Sequence, residues 1–234
     1  MGGQACVLYG AAQFSRDTDL VILAEAKNLQ RLQAALDELQ AVVIAVPPFE
    51  QKYLELGLGV HFRCQAPSCA GMRIDVLSKM RGVDNFPELW ERRTTVQAED
   101  GEYEVLSLPD LVRAKKTQRA KDWPMITALV EVNYFRNQLA PNPAQIRFWL
   151  QELRTPGLLC EVARKHADVA RLTVGERPLI AEALANDPAA LEKSLAAEER
   201  TEREADRAYW LPLRSEIERL RRLRRGSSTE ANDP

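Results

Sequence analysis

The chain has 234 residues, 45% hydrophobic and 28% charged, which is ordinary for a globular protein of one or two domains with a sizeable core. Its net charge of −2 at pH 7 gives no overall basic surface, so any nucleic-acid contact must come from a local patch. No apolar run approaches the roughly 20 residues of a membrane span, and the N-terminus has no signal-peptide pattern. We therefore expect a cytoplasmic protein.

The N-terminus predicts a glycine turn and a short helix, followed by a strand that begins with two acids. Gly2 and Gly3 open the segment, and glycine lets backbone N–H groups come close to a phosphate. Asp17 and Asp19 precede the apolar run 20–23, which predicts a buried strand. Alternate residues of a strand share a face, so the two carboxylates point together, which favours a bound cation. An ordinary turn between helix and strand is the alternative for an Asp-x-Asp sequence.

The next predicted elements alternate between helix and strand. Residues 28–40 carry leucines at helical spacing and predict an amphipathic helix on one face of the sheet. Residues 42–46 predict a strand that ends at Pro47, and residues 60–64 predict a strand that pairs with the one around Asp75. Asp75 interrupts an apolar pattern, and a buried carboxylate needs a partner.

The middle of the chain predicts a hairpin and a capped helix. Residues 94–98 and 103–106 flank Glu99-Asp100-Gly101, a hairpin signal. Residues 110–117 predict a helix, with Ser107 as a possible N-cap.

The spacing of one histidine and two cysteines raises the hypothesis of a zinc site. His61, Cys64 and Cys69 have ligand-like spacing, but a structural zinc ion needs four ligands, and Cys6 and Cys160 lie far away in the sequence. We favour free thiols in a reducing compartment.

From Pro124 onward the chain predicts helices only, and residues 140–143 are the best candidate for a domain boundary. Residues 226–234 are almost without apolar side chains and predict a disordered tail. The predicted helices cover residues 144–153, 158–170, 178–185, 189–207 and 211–225.

The last predicted helix carries the strongest charge cluster of the chain. Its apolar residues fall at helical spacing, which favours a surface helix packed on its neighbours. A contact with an RNA backbone is the functional alternative. The arginines of this cluster are Arg214, Arg219, Arg221, Arg222, Arg224 and Arg225.

A glycine turn, a short helix, an Asp-x-Asp strand and a single Asp on a later strand together resemble the nucleotidyltransferase fold of the DNA polymerase β superfamily. More narrowly, Gly2-Gly3-x-Ala5-x-x-x-Tyr9-Gly10 followed by Ser15-x-Asp17-x-Asp19 is similar to the small prokaryotic branch that holds AbiEii-type toxin nucleotidyltransferases. The block from Leu106 to Asp122 is similar to that branch's strand, "LxxLxxxK" helix and "R-x-K-D" turn. The resemblance covers roughly the first 135 residues.

The resemblance implies an α+β fold. A small mixed nucleotidyltransferase sheet flanked by helices would be followed by the all-α C-terminal domain that the helical pattern beyond Pro124 predicts. The first domain would cover residues 1–137, and the helical domain residues 141–225. Because family members carry a helix and a strand before the glycine pair, we expect either a start further upstream or a sheet without that first strand.

The resemblance also implies the site. Asp17, Asp19 and Asp75 would be catalytic and would bind two Mg²⁺ ions, with Asp75 as ligand or general base. Lys115 fits the family's phosphate-contacting lysine best, and Lys116 is the alternative. The residues expected to bind the NTP are Gly2, Gly3, Ser15, Lys115, Lys116, Arg119 and Lys121.

The implied function is Mg²⁺-dependent transfer of a nucleotide from an NTP to an acceptor. The resemblance to the toxin branch also implies a role in a toxin–antitoxin system. The acceptor could be tRNA or another RNA, a protein or a small hydroxylated molecule. The competing hypothesis is a non-catalytic binding or antitoxin-like module. It is favoured by the short N-terminus, by Gln13 where the family has arginine, and by Met125 where the family has a second aspartate.

Overall fold

The computed structural model describes residues 1–99 and 101–230, with side chains through Arg225. The protein is α+β, 56% helical and 12% strand, with a small sheet and a C-terminal helical region. In the described part of the chain, no helix combines the length and apolar character needed to cross a membrane. The elements are α1 (Gly2–Leu8), β1 (Asp17–Val21), α2 (Ala26–Glu38), β2 (Val42–Val43), α3 (Gln51–Leu56), β3 (Val60–Arg63), β4 (Arg73–Leu77), α4 (Phe86–Glu91), β5 (Thr94–Ala98), β6 (Gly101–Val105), α5 (Leu108–Lys115), α6 (Asp122–Asn137), α7 (Pro143–Glu152), α8 (Pro156–Lys165), α9 (Ala167–Thr173), α10 (Ile180–Leu184) and α11 (Pro188–Glu230).

The chain divides into two compact units. The sheet unit contains Met1–Leu8, Ala12–Ala114 and the segment from Arg207 onward, and the helical unit contains Tyr9–Ala11 and Lys115–Asp206. Residues 138–142 form the connection between α6 and α7, at the expected domain boundary. The two compact units, however, are separated at other positions of the chain.

The main sheet has the strand order β1-β4-β3-β2. β1 and β4 are parallel, and the two remaining pairs are antiparallel, including the expected pairing of β3 with β4. Alternation along the strands gives the sheet one apolar face. That face forms the core with Leu36 of α2 and contains Val60, Phe62, Ile74 and Val76. The opposite face carries the polar residues of the same strands.

The hairpin and the capped helix also occur in the sheet unit. β5 and β6 pair from Thr94 with Val105 to Ala98 with Gly101; of the predicted turn, Asp100 lies outside the described residues. Ser107 Oγ accepts a hydrogen bond from the backbone N–H of Asp110 at 3.3 Å and donates one to Asp110 Oδ2 at 2.7 Å. Ser107 therefore caps the first turn of α5.

The helical unit contains a buried ion-pair network. Arg177 donates to both carboxylate oxygens of Glu198, each at 2.8 Å, and Arg154 donates to Glu198 Oε2 at 2.8 Å. Burial alone would raise the pKa of Glu198, but the hydrogen bond from Arg177 and the nearby positive charges lower it overall. The network joins the segment before α8 to α11, and we assign it a structural role.

The C-terminal helix differs from its prediction. The expected helices 189–207 and 211–225 are one helix, α11, with Pro212 in its interior. Proline removes one backbone hydrogen bond and favours a break. In the sheet unit, however, Leu213, Ile217 and Leu220 pack on Tyr53 and Leu58, which holds the half of the helix after the proline in place.

The predicted disordered tail, residues 226–234, is only partly described. The backbone of α11 continues through Glu230, whereas residues 231–234 lie outside the described residues.

Candidate active site

The three predicted carboxylates lie on one face of the sheet. Asp17 and Asp19 begin β1, and Asp75 is in the middle of the parallel strand β4. In the register, Asp19 lies directly opposite Asp75, and Asp17 lies opposite Arg73. Opposed residues of paired strands point to the same side, so these four side chains form one patch on the face away from the core. We call this patch the acidic face.

Asp75 is held by two partners on the acidic face. Arg73 donates from Nε to Oδ1 at 2.8 Å and from Nη2 to Oδ2 at 2.9 Å, and His61 Nδ1 lies 2.9 Å from Oδ1. The Asp75 side chain is only 12% exposed. Burial alone would raise the pKa of Asp75, but the hydrogen bonds with His61 and Arg73 lower it overall. Asp75 is therefore a stabilised, ionised carboxylate.

Arg73 lies in the field of all three acids. Its pKa is raised by the hydrogen bonds to Asp75 and by the negative charges of Asp75, Asp17 and Asp19, against the opposing effect of burial. The guanidinium is thus a cation that the protein itself supplies to the acidic face. We did not predict this role for Arg73, or that of His61. The available signal was that Arg73 precedes Asp75 by two residues and so shares its face.

The carboxylates are not arranged as a ready metal site. Among the side chains that the structure describes, those of residues 1–99 and 101–225, no group of three or more His, Cys, Asp or Glu is positioned to hold a metal ion. On Asp75, both oxygens already face Arg73 or His61. The chemistry of three carboxylates suits Mg²⁺, but the positive charge of Arg73 beside Asp75 opposes the binding of a cation there.

The glycine pair packs directly against this face. A Cβ at Gly2 would lie 1.9 Å from Asp19 Oδ2, and a Cβ at Gly3 would lie 2.3 Å from Ser15 Oγ. The backbone N–H of Gly3 donates to Asp19 Oδ2 at 3.3 Å. Gly2 also has a φ of +68°, which favours glycine. The structure therefore brings Gly2, Gly3 and Ser15 to the start of β1, where the acids are.

The predicted basic block belongs to the helical unit, where most of its cations lie near acids. Lys115 Nζ is 3.6 Å from Asp122 Oδ1, and Arg119 Nε donates to Asp122 Oδ2 at 2.8 Å. Lys116 Nζ lies 2.8 Å from Glu152 Oε2. Lys121 is exposed. Contact of these residues with a nucleotide stays a prediction.

The zinc hypothesis does not agree with the strand geometry. His61 points to the acidic face of β3, whereas Cys64, three residues later, is in the core on the other side of the sheet. The four cysteines are free thiols. Burial, followed by a hydrogen bond with Cys69, raises the pKa of the Cys64 thiol.

Comparisons with models of protein families, with curated proteins and with solved structures found no match to this chain.

Proposed function

We propose that the acidic face binds a Mg²⁺–nucleotide and that the protein transfers a nucleotidyl group from an NTP to an acceptor hydroxyl. The observation that carries this proposal is the register of Asp19 opposite Asp75, with Asp17 on the same face. A close-packed glycine turn at the same edge supports it. On this proposal the sheet is a nucleotidyltransferase sheet, as the resemblance in sequence implies.

The residues of the acidic face and of the glycine pair would each have a separate role in this reaction. Asp17, Asp19 and Asp75 would hold the metal, which when bound would neutralise phosphate charge and polarise the attacking and leaving oxygens. Gly2 and Gly3 would let the triphosphate approach the backbone beside Ser15. Arg73 would balance the charge of the acids before the nucleotide arrives and would contact phosphate oxygens afterwards.

Asp75 is better suited to the role of ligand than to that of general base. A general base works best with a pKa near the operating pH, and the pKa of Asp75 is lowered by His61 and Arg73 against the effect of burial. We therefore propose that Asp75 is a metal ligand. The proton of the acceptor hydroxyl would pass to water.

A second candidate function is a non-catalytic binding module. The observation that favours it is the bidentate Arg73–Asp75 pair, which neutralises the acidic face without a metal. Such a module would use the fold to bind a partner and would show no turnover.

A label-transfer assay separates the two candidates. The protein is incubated with Mg²⁺, each α-labelled NTP in turn, total RNA and cell lysate. We expect label on an acceptor, and we expect the Asp17→Asn plus Asp19→Asn double variant to lose at least 100-fold in rate, on the order of the effect of removing a metal's ligands.

The matched control is Asp168→Asn, because Asp168 is an exposed acid of the helical unit. Transfer that survives in the double variant would refute the proposed site. No transfer to any acceptor would favour the binding module.

A further inference from the structure

Two of the four cysteines lie in the connection between β3 and β4. Cys64 directly follows the last residue of β3, and Cys69 lies five residues later, in the turn before β4. Cys64 belongs to the buried core of the sheet unit, and Cys69 packs against the same core while staying partly exposed. One thiol donates a hydrogen bond to the other. We call this pair the β3–β4 dithiol.

Backbone hydrogen bonds hold both cysteines against the same residue, Met72. The Met72 C=O accepts a hydrogen bond from the Cys64 N–H at 2.9 Å, and the Met72 N–H donates one to the Cys69 C=O at 3.0 Å. The Cys69 N–H in turn donates to the C=O of Ala66 at 3.0 Å. A disulfide forms where two cysteine backbones already lie close together and their side chains face each other. The shared contacts with Met72 bring the backbones together, and the hydrogen bond between the thiols shows that the side chains face each other.

The two thiols differ in what can reach them. Cys64 is 1% exposed, and burial, followed by the hydrogen bond with Cys69, raises its pKa. The Cys64 thiol therefore stays protonated and shielded from solvent at neutral pH. Cys69 is partly exposed, so an oxidant in solution meets its sulfur first. An accessible cysteine beside a second cysteine that can displace the oxidised group is the arrangement that favours reversible oxidation.

We propose that the β3–β4 dithiol is a site of reversible oxidation by hydroperoxides, which joins Cys64 and Cys69 in a disulfide. The Cys69 thiolate attacks the terminal oxygen of the peroxide, the O–O bond breaks, and Cys69 becomes a sulfenic acid. The leaving oxygen takes up the proton that the Cys69 thiol released, and it departs as an alcohol, or as water where the oxidant is hydrogen peroxide. The Cys64 sulfur then attacks the Cys69 sulfur, the S–O bond breaks, and the hydroxyl leaves as water with the Cys64 proton. This inference does not depend on the proposed nucleotidyl transfer.

The disulfide would fix the turn that leads into β4. This strand begins at Arg73, directly after Met72. The amides of Gly71 and Met72 donate to the carbonyls of the two cysteines, so they report on opening of the turn. Because a cross-link removes open conformations, oxidation should slow hydrogen exchange of these two amides at least about threefold, as measured by NMR. Exchange that is unchanged or faster in the oxidised protein would overturn this effect of the disulfide.

The test is oxidation of the folded full-length chain with hydrogen peroxide. The reaction is stopped with catalase at a series of times, and the protein is denatured, alkylated with N-ethylmaleimide and digested with trypsin. Trypsin cuts after Arg63 and after Arg73, so one peptide, residues 64–73, contains both cysteines. We expect this peptide to lose two hydrogen atoms and both alkylation sites, and dithiothreitol to restore them. The buried thiols of Cys6 and Cys160 should react at least about tenfold more slowly.

Serine variants assign the roles of the two thiols. In Cys64→Ser we expect a sulfenic acid at Cys69 that dimedone traps, and no disulfide, because the second thiol is gone. In Cys69→Ser we expect Cys64 to stay reduced, since the accessible sulfur is gone. Cys160→Ser is the matched control, because it removes a buried cysteine of the helical unit, and it should oxidise as the wild type does.

Three results would overturn the proposal. The first is a peptide 64–73 that keeps both alkylated thiols after Cys160 has been oxidised. The second is conversion of Cys69 to a sulfinic acid, and the third is a disulfide between two copies of the chain, because each shows that Cys64 does not reach the oxidised sulfur. Oxidation of Cys64 in Cys69→Ser at the wild-type rate would overturn the order of attack.

Discussion

The guanidinium of Arg73 contacts both carboxylate oxygens of Asp75, with Nε 2.8 Å from Oδ1 and Nη2 2.9 Å from Oδ2. Because Asp75 lies opposite Asp19 in the register, this pair also reduces the repulsion between the two strands' carboxylates. A metal ion that binds the acidic face must compete with Arg73.

Replacing Arg73 should therefore strengthen cation binding. In Arg73→Met we expect the affinity for Mn²⁺, used as a probe for Mg²⁺, to rise about tenfold, because the competing charge is gone. We also expect the free energy of unfolding without metal to fall by about 2 kcal/mol, since Asp75 loses two charged hydrogen bonds. Isothermal titration calorimetry and urea denaturation measure the two effects.

Arg63→Met is the matched control for the Arg73 variant. Arg63 lies opposite Arg73 in the register, is exposed, and makes no described hydrogen bond to Asp75. It removes the same charge at a neighbouring position. An equal gain in Mn²⁺ affinity in both variants would show that net charge, rather than release of Asp75, controls binding.

The glycine turn can be tested with two alanine substitutions that share the same backbone strain. Gly2 and Gly71 have φ values of +68° and +84°, so alanine should cost about 1 kcal/mol at either position. A Cβ at Gly71 meets nothing within 4 Å, whereas a Cβ at Gly2 collides with the Asp19 carboxylate. We expect Gly2→Ala, but not Gly71→Ala, to weaken NTP binding at least tenfold in a fluorescence titration. Equal NTP affinities in the two variants would show that the glycine turn does not take part in nucleotide binding.

The buried carboxylate of Asp110 should control acid stability in the sheet unit. Asp110 is 1% exposed, and Arg92 donates to both its oxygens, at 2.7 and 2.9 Å. Burial alone would raise the pKa of Asp110, but the hydrogen bonds from Arg92 and Ser107 lower it overall. A lowered pKa means that the pair's stabilisation is present above the unfolded value near 3.9 and is lost as the pH falls through the folded value.

We expect Asp110→Asn to lower the free energy of unfolding by about 3 kcal/mol at pH 7, and by progressively less below about pH 4. Urea denaturation at a series of pH values measures this, with Asp168→Asn as an exposed control. A loss of unfolding free energy in Asp110→Asn that stays constant down to pH 2 would show that the ionised carboxylate is not the source of the stability.

The C-terminal helix provides a packing prediction. Leu220 is 7% exposed and packs with Tyr53 and Leu58, whereas Leu223 is 58% exposed. Leu220→Ala should cost about 2–3 kcal/mol of unfolding free energy, and Leu223→Ala less than about 0.5 kcal/mol. Similar losses in the two variants, measured by urea denaturation, would contradict the packing of this helix on α3.

Local pattern was sufficient to predict part of the geometry of the candidate site. Strand alternation put Asp17 and Asp19 on one face, and the alternating run 60–64 predicted the antiparallel partner of the Asp75 strand. The cap at Ser107 followed from local side-chain chemistry. These features depend on neighbours a few residues apart or on a short connection, so the sequence alone contains them.

Features set by distant contacts were not predictable. The register of Asp19 with Asp75 joins strands more than 50 residues apart, and no local rule determines it. The hydrogen bonds of Arg73 and His61 with Asp75 depend on the pairing of strands in that same sheet. The continuity of α11 through Pro212 opposes the local preference of proline, because packing on the sheet unit outweighs it.

The most direct measurement is Mn²⁺ binding by electron paramagnetic resonance, with and without each NTP, in the wild-type protein and in the Asp17→Asn plus Asp19→Asn variant. Nucleotidyl transfer at the acidic face predicts NTP-dependent Mn²⁺ binding that falls at least tenfold in the double variant and is unchanged in Asp168→Asn. Mn²⁺–NTP binding of equal strength in all three proteins would contradict a metal–nucleotide site at Asp17, Asp19 and Asp75.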